Sequence, residues 1–171
     1  MGDYGSSWEF MGQILKKGGC AVAFLNGKEL RKFDQANRMT LPPKYRMGLG
    51  DDIVIMKSIH KEPCLMLFSS EGWDNFMDIV ISSFDGAKQA DAERRLANRS
   101  DSLIPDKSNR IFIKDDFKAY ASLGDEVLAV GMTDRVELWN PSTWEEWYGA
   151  ETEEADDDFF ENVPYTRARG K

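Results

Sequence analysis

Two short stretches of this chain carry residues that can do chemistry together. Asp34-Gln35-Ala36-Asn37-Arg38 and Asp106-Lys107-Ser108-Asn109-Arg110 each set a carboxylate four residues before a guanidinium, with an asparagine just ahead of the arginine. An Asp side chain accepts backbone N–H groups two residues on and so fixes a turn. Asn tolerates the left-handed backbone region better than most residues with a Cβ. The arginine then leaves the turn on the next strand, near the aspartate. For one such stretch, a structural turn closed by an Asp–Arg ion pair explains the residues. Two copies say more, because internal symmetry would set Arg38 and Arg110 on related surfaces. Paired guanidiniums there suit phosphates or a guanine edge.

No catalytic arrangement competes with this reading. His60 is the single histidine, and a Ser-His-Asp or Cys-His site would have to use it. It falls in a polar turn, Ser58 to Glu62, where an exposed loop residue is expected. There is no Gly-x-x-x-x-Gly-Lys-Ser/Thr loop and no Cys/His spacing for zinc. We therefore expect no catalytic residues, no metal, no cofactor and no small-molecule substrate. Cys20 and Cys64 are expected as free thiols in a reducing cytoplasm. No apolar run approaches the roughly 20 residues of a membrane span.

The two hairpins sit inside a longer repeat. Asp34, Arg38 and Tyr45 match Asp106, Arg110 and Phe117 at a constant offset of 72. Leu49-Gly50-Asp51-Asp52 answers Leu123-Gly124-Asp125-Glu126, and Trp73 answers Trp144. Each copy predicts a strand, the turn, a short strand, a short helix, two more strands and a closing helix. The short helices are expected at Pro42–Leu49 and Lys114–Leu123, ended by Gly50 and Gly124. The paired strands are Ile53–Met56 with Leu65–Phe68, and Val127–Val130 with Val136–Trp139. Asn140-Pro141 supplies a helix cap and a first helical residue together. One helical stretch, about Trp73 to Ala97, joins the copies through an apolar stripe of Phe76, Ile79, Val80 and Phe84. A single unit of about 45 residues would be marginal alone, so the two are expected to share one core. The chain then divides into an extension (1–23), a first repeat (24–76), a connector (77–99), a second repeat (100–148) and an acidic tail (149–171).

Charge is unevenly placed along these segments. The whole chain carries −8, which taken alone argues against a nucleic-acid partner. Residues 27–48, however, hold Lys28, Arg31, Lys32, Arg38, Lys44 and Arg46 against Glu29 and Asp34, a net of +4. Residues 149–171 hold seven acidic against three basic residues, a net of −4. Binding to DNA depends on the charge near the phosphates, so the local basic segment counts for more than the total.

The residues between 24 and 148 resemble the MraZ family, built on the swapped-hairpin barrel also found in AbrB-type regulators. The likeness is carried by Gly27, Phe33-Asp34, Asn37-Arg38-Met39-Thr40-Leu41-Pro42 and Lys44-Tyr45-Arg46. It continues in Pro63-Cys64-Leu65, Leu67-Phe68, Trp73, Asp106, Arg110, Gly131, Arg135-Val136-Glu137-Leu138-Trp139 and Trp144. The family usually has Gly where this chain has Asn37 and Asn109. The resemblance implies an α+β fold: two tandem swapped-hairpin β-α-β repeats forming a pseudo-twofold β-barrel with flanking helices. It also implies a cytoplasmic, nucleoid-associated transcription regulator of the division and cell-wall gene cluster. Such a regulator binds double-stranded DNA at promoter repeats and assembles with itself into a ring-like homo-oligomer. The expected DNA contacts are Arg38 and Arg110, helped by Arg31, Lys32 and Lys44, with Asp34, Asn37, Asp106 and Asn109 building the turns. The alternative is a barrel of the same kind that acts through protein–protein contact, in an antitoxin-like or assembly role, without sequence-specific DNA binding.

Overall fold

The computed structural model describes residues 25–149 and 159–161. The 1–23 extension, Cys20 and most of the acidic tail lie outside them.

Eight strands and five helices follow one another in the described residues. They are β1 (Leu25–Lys32), β2 (Arg38–Thr40), α1 (Pro43–Leu49), β3 (Ile53–Lys57), β4 (Leu65–Ser69), α2 (Ser70–Ser82) and α3 (Ala87–Ala97). The second half gives β5 (Ser100–Leu103), β6 (Arg110–Phe112), α4 (Asp115–Tyr120), β7 (Glu126–Thr133), β8 (Val136–Trp139) and α5 (Pro141–Tyr148).

Strands pair both within a copy, β3 with β4 and β7 with β8, and across the two copies, where β1 meets β7, β5 meets β3, β4 meets β8 and β2 meets β6. A six-stranded antiparallel sheet runs β1-β7-β8-β4-β3-β5, and a two-stranded ribbon pairs β2 with β6. Exchanging the two copies turns this order into itself read backwards. Each copy's first strand therefore pairs in the other copy, β1 on β7 and β5 on β3. The exchange is unequal, since β1 makes eight register pairs and the polar β5 makes four. Gly131 fits this pairing because a Cβ on it would overlap the backbone of Asn26 in β1.

Strand β4 reads as an apolar run up to Ser69, and β8 as one interrupted by Glu137 alone, because both lie mid-sheet with both faces covered. Leu65, Leu67, Val136 and Leu138 face an inner core, shared with Met39, Leu41, Tyr45, Ile111, Ile113 and Phe117 from the hairpins and short helices. Met66, Phe68 and Trp139 face a second cluster closed by Trp73, Phe76, Val80, Leu96, Trp144 and Tyr148 from the longer helices. The aromatic packing repeats as well: Phe68 meets Trp73 and Phe76, while Trp139 meets Trp144 and Trp147. Glu137 is buried on this second face. Arg135 donates to its Oε1 and Trp139 Nε1 donates to its Oε2 at 3.0 Å, which satisfies the charge where it sits.

Three local expectations are met differently. The connector is two helices, not one. The Ser82 and Ser83 hydroxyls both donate to the Ile79 carbonyl, and Gly86 turns at φ +55° ahead of α3. Serine side chains that compete for helix carbonyls favour such breaks. Phe76 and Val80 of the expected stripe pack on the second cluster, whereas Ile79 and Phe84 are exposed. The second short helix stops at Tyr120, and Ser122, at φ +50°, takes the left-handed place expected of Gly124. The expected cap at α5 is present: the Asn140 side chain accepts from Ser142 N and Thr143 N, with Pro141 as first helical residue.

Candidate nucleic-acid interface

Each Asp-x-x-x-Arg stretch folds into the same tight hairpin. Asp34 N donates to Arg38 O at 2.8 Å, and Asn37 N donates to Asp34 O at 3.1 Å. The second copy repeats these bonds at 2.9 Å each, Asp106 N to Arg110 O and Asn109 N to Asp106 O. Asn37 and Asn109 take the left-handed region at φ 56° and 57°, so each loop is a turn followed by one left-handed residue. The carboxylate finishes the loop. Asp34 Oδ1 accepts from Ala36 N and Arg38 N, and Asp34 Oδ2 accepts from Arg38 Nε at 2.9 Å. Asp106 does the same with Ser108 N, Arg110 N and Arg110 Nε, the last at 2.8 Å. The backbone N–H of the arginine is the main reason each carboxyl titrates below its ordinary value.

The β2–β6 ribbon brings the two arginines together. Arg38 pairs with Phe112 and Thr40 pairs with Arg110 in the antiparallel register. Residues directly opposite share a face and successive residues alternate. Arg38, Thr40, Arg110 and Phe112 therefore point outward together, while Met39 and Ile111 between them are fully buried. Arg110 also reaches across, its Nη1 lying 3.8 Å from Asp34 Oδ2. Both arginines are held through Nε, which orients a guanidinium and leaves its outer edge for a planar acceptor.

The turn asparagines lock the two copies into one another. Lys118 Nζ donates to Asn37 Oδ1 at 3.0 Å, and Asn37 Nδ2 donates to Asp115 Oδ1 at 2.7 Å. Arg46 Nε donates to Asn109 Oδ1 at 3.1 Å. Backbone bonds run alongside, Leu41 N to Asn109 O and Ile113 N to Asn37 O. Each hairpin tip is thus held by the short helix of the other copy.

The remaining expected basic residues sit elsewhere. Arg31 and Lys44 converge on Glu29 of β1, Lys44 at 3.2 Å. Lys32 is highly exposed and lies 3.5 Å from Glu126. None of the three touches the hairpin carboxylates among the described residues. Reading along the chain missed Thr40 and Phe112, which the two-residue alternation from Arg38 and Arg110 would have picked out. It also missed Lys118, which the offset of 72 maps onto Arg46.

Other candidates stay outside this face. His60 is exposed in its loop. Cys64 is buried and free, and burial pushes its thiol up to about 12. Among the described residues no three His, Cys, Asp or Glu side chains gather where they could hold a metal ion. No described helix is long and apolar enough to cross a membrane.

The chain is similar in sequence to known proteins over most of its length. A family model described as "MraZ protein, putative antitoxin-like" matches the chain twice, over 24–95 and 96–162. A protein of Cutibacterium acnes named "Transcriptional regulator MraZ" is 33% identical over 128 residues, covering 74% of this chain and 89% of the relative. A Paenarthrobacter aurescens protein of the same name is 30% identical over 142 residues, covering 81% and 96%. One from Bifidobacterium longum is 33% identical over 141 residues, covering 81% and 91%.

Proposed function

This chain belongs to the MraZ family, and from that premise we propose that it is a transcription regulator that binds double-stranded DNA through the β2–β6 ribbon. The observation that carries the reading is the pairing of Arg38 and Arg110, each oriented by its own aspartate, on one exposed ribbon face. A two-stranded ribbon fits the major groove of B-DNA, where a guanidinium can contact guanine O6 and N7 together. Asp34, Asn37, Asp106 and Asn109 hold the hairpins in shape. Arg31, Lys32 and Lys44 add phosphate contacts by exchanging a carboxylate for a phosphate oxygen.

The finer parts of the reading follow the family. The two sheets wrap the shared core as a closed barrel. The two repeats, 24–76 and 100–148, act as one unit, flanked by the 1–23 extension and the 149–171 tail and joined by the 77–99 connector. Copies of the chain assemble into a ring, so that weak single-ribbon contacts multiply by effective concentration along promoter direct repeats. The target is the division and cell-wall gene cluster, and the site of action is the cytoplasm, at the nucleoid. The relatives are named as regulators, and no enzymatic role is proposed.

A gel-shift titration on the gene's own upstream DNA, against a scrambled duplex of equal composition, tests the proposal. Preferential retention of the upstream duplex is expected. Equal retention of both duplexes, or of neither, overturns sequence-specific binding and leaves a barrel that acts by protein contact. Light scattering that gives a monomer mass near 19.5 kDa at micromolar concentration would overturn the ring.

A further inference from the structure

The ribbon is nearly twofold in its backbone and in its arginines, but not in the residues beside them. Two positions after Arg38 stands Thr40, and two positions after Arg110 stands Phe112. Register and alternation put all four on the outward face. Phe112 is 50% exposed and is the one exposed aromatic residue on a strand among the described residues. The inner core takes its partner residues, Met39 and Ile111, from the opposite face, so packing does not account for a phenyl ring there. Its neighbours do suggest a use. Arg38 stands directly across the ribbon from it, and Arg110 precedes it on the same strand and face. An apolar plate between two guanidiniums matches the major-groove edge of a base step that offers acceptors beside a methyl group. Thymine C5-methyl is the group there that takes apolar contact, and Phe is one of the side chains that supplies it.

We propose that Phe112 is a specificity-determining residue that packs on a thymine methyl in the major groove and gives the bound site a direction. The inference rests on the ribbon being the DNA-binding face. A ribbon with the same residue at both places would read its two half-faces alike and bind a site equally well in either orientation. Thr40 is short and Phe112 projects further, so the two half-faces are unequal. One orientation of an asymmetric site is then preferred. That is what a protein needs to read successive sites in one direction, as opposed to an inverted pair.

The test uses the full-length protein and the upstream fragment it protects in a footprint. Each thymine in the footprint is replaced singly by deoxyuridine, which removes only the C5-methyl. Affinity is then measured for the wild type, Phe112→Ala and Phe112→Thr. Wild type should lose about fourfold, the worth of one buried methyl, at a thymine on one side of each footprint centre. Both variants should bind more weakly overall and show no loss at that thymine, while still preferring the footprinted fragment to a scrambled one. Thermal unfolding close to wild type is expected, since the ring lies on the surface. A variant profile that keeps the same methyl sensitivity overturns the role of Phe112, as does a wild type with no sensitive thymine. Absence of any footprint on the upstream DNA overturns the ribbon as a DNA-binding face, and this inference with it.

Discussion

Arg46 in the first copy donates from Nε to the side-chain oxygen of Asn109 in the second, at 3.1 Å. Lys118, its counterpart at an offset of 72, does the same for Asn37 at 3.0 Å. The residue that lets each hairpin turn left-handed is also the one by which the other copy grips it. Asparagine serves both needs here, whereas glycine would meet only the first.

That double role separates two substitutions. Asn109→Gly and Asn109→Ala both remove the acceptor for Arg46, but only alanine forces a Cβ without a polar group into φ 57°. A left-handed residue with a Cβ costs roughly 1–2 kcal/mol, offset in part by the extra chain entropy that glycine loses on folding. Urea unfolding should therefore rank wild type above Asn109→Gly, and Asn109→Gly above Asn109→Ala by about 1 kcal/mol. Equal stability of the two variants would show that the backbone carries no such constraint.

Arg38→Ala should separate binding from folding. The side chain is partly exposed and its ion pair with Asp34 lies at the surface, where such a pair is worth about 0–1 kcal/mol. Loss of one bidentate base contact is worth ~1–3 kcal/mol of discrimination. The melting temperature should move by a few degrees at most, while preference for the upstream duplex falls by about five- to 150-fold. Wild-type affinity in this variant would remove Arg38 from the interface.

The hairpin carboxylates set an acid limit. Asp34 and Asp106 titrate below the ordinary value of 3.8 when folded, chiefly through the arginine backbone N–H bonds. A depressed folded pKa adds stability that is fully present above the unfolded value and is lost as pH falls through the folded one. The turns should stay formed from neutral pH down to about 5 and loosen only below 3.8. Carboxyl carbon shifts followed by NMR would check this, and a midpoint at or above 3.8 for either residue would contradict it.

Tyr45 is fully buried, and its hydroxyl donates to the Gly27 carbonyl of β1. Phe117 fills the equivalent place in the second copy, so the pocket type accepts a ring without a hydroxyl. Tyr45→Phe should then cost the hydrogen bond rather than the packing, about 1–2 kcal/mol. Urea denaturation with an unchanged slope would report it, and unchanged stability would mean that Gly27 finds another donor.

Cys64 should be inert while the chain is folded. Burial first, then the nearby Glu137, pushes its thiol up to about 12, and the thiolate is the reactive form. Iodoacetamide at pH 8, followed by peptide-resolved mass spectrometry, should label Cys64 in urea and leave it unmodified in buffer. Rapid native labelling of that peptide would show that the β4 strand opens readily.

What the residues settle alone is what short-range chemistry decides. An aspartate that accepts N–H groups two and four residues on makes its turn from neighbours in the chain. So both hairpins, the Asn140 cap and the buried runs of β4 and β8 are legible in order. Internal repetition is legible too, since it needs only comparison of the chain with itself, and with it the kinship of Arg38 and Arg110. The tertiary structure alone decided that the copies exchange strands, β1 onto β7 and β5 onto β3. It also decided that the tips are clamped by Arg46, Lys118 and Asp115. Those partners lie 63 to 81 residues apart, and no local pattern encodes which of several basic residues will meet a given amide. Arg31 is the local case, since Glu29 lies two residues away on the same face of β1, whereas Lys44 reaches Glu29 only because α1 packs beside β1.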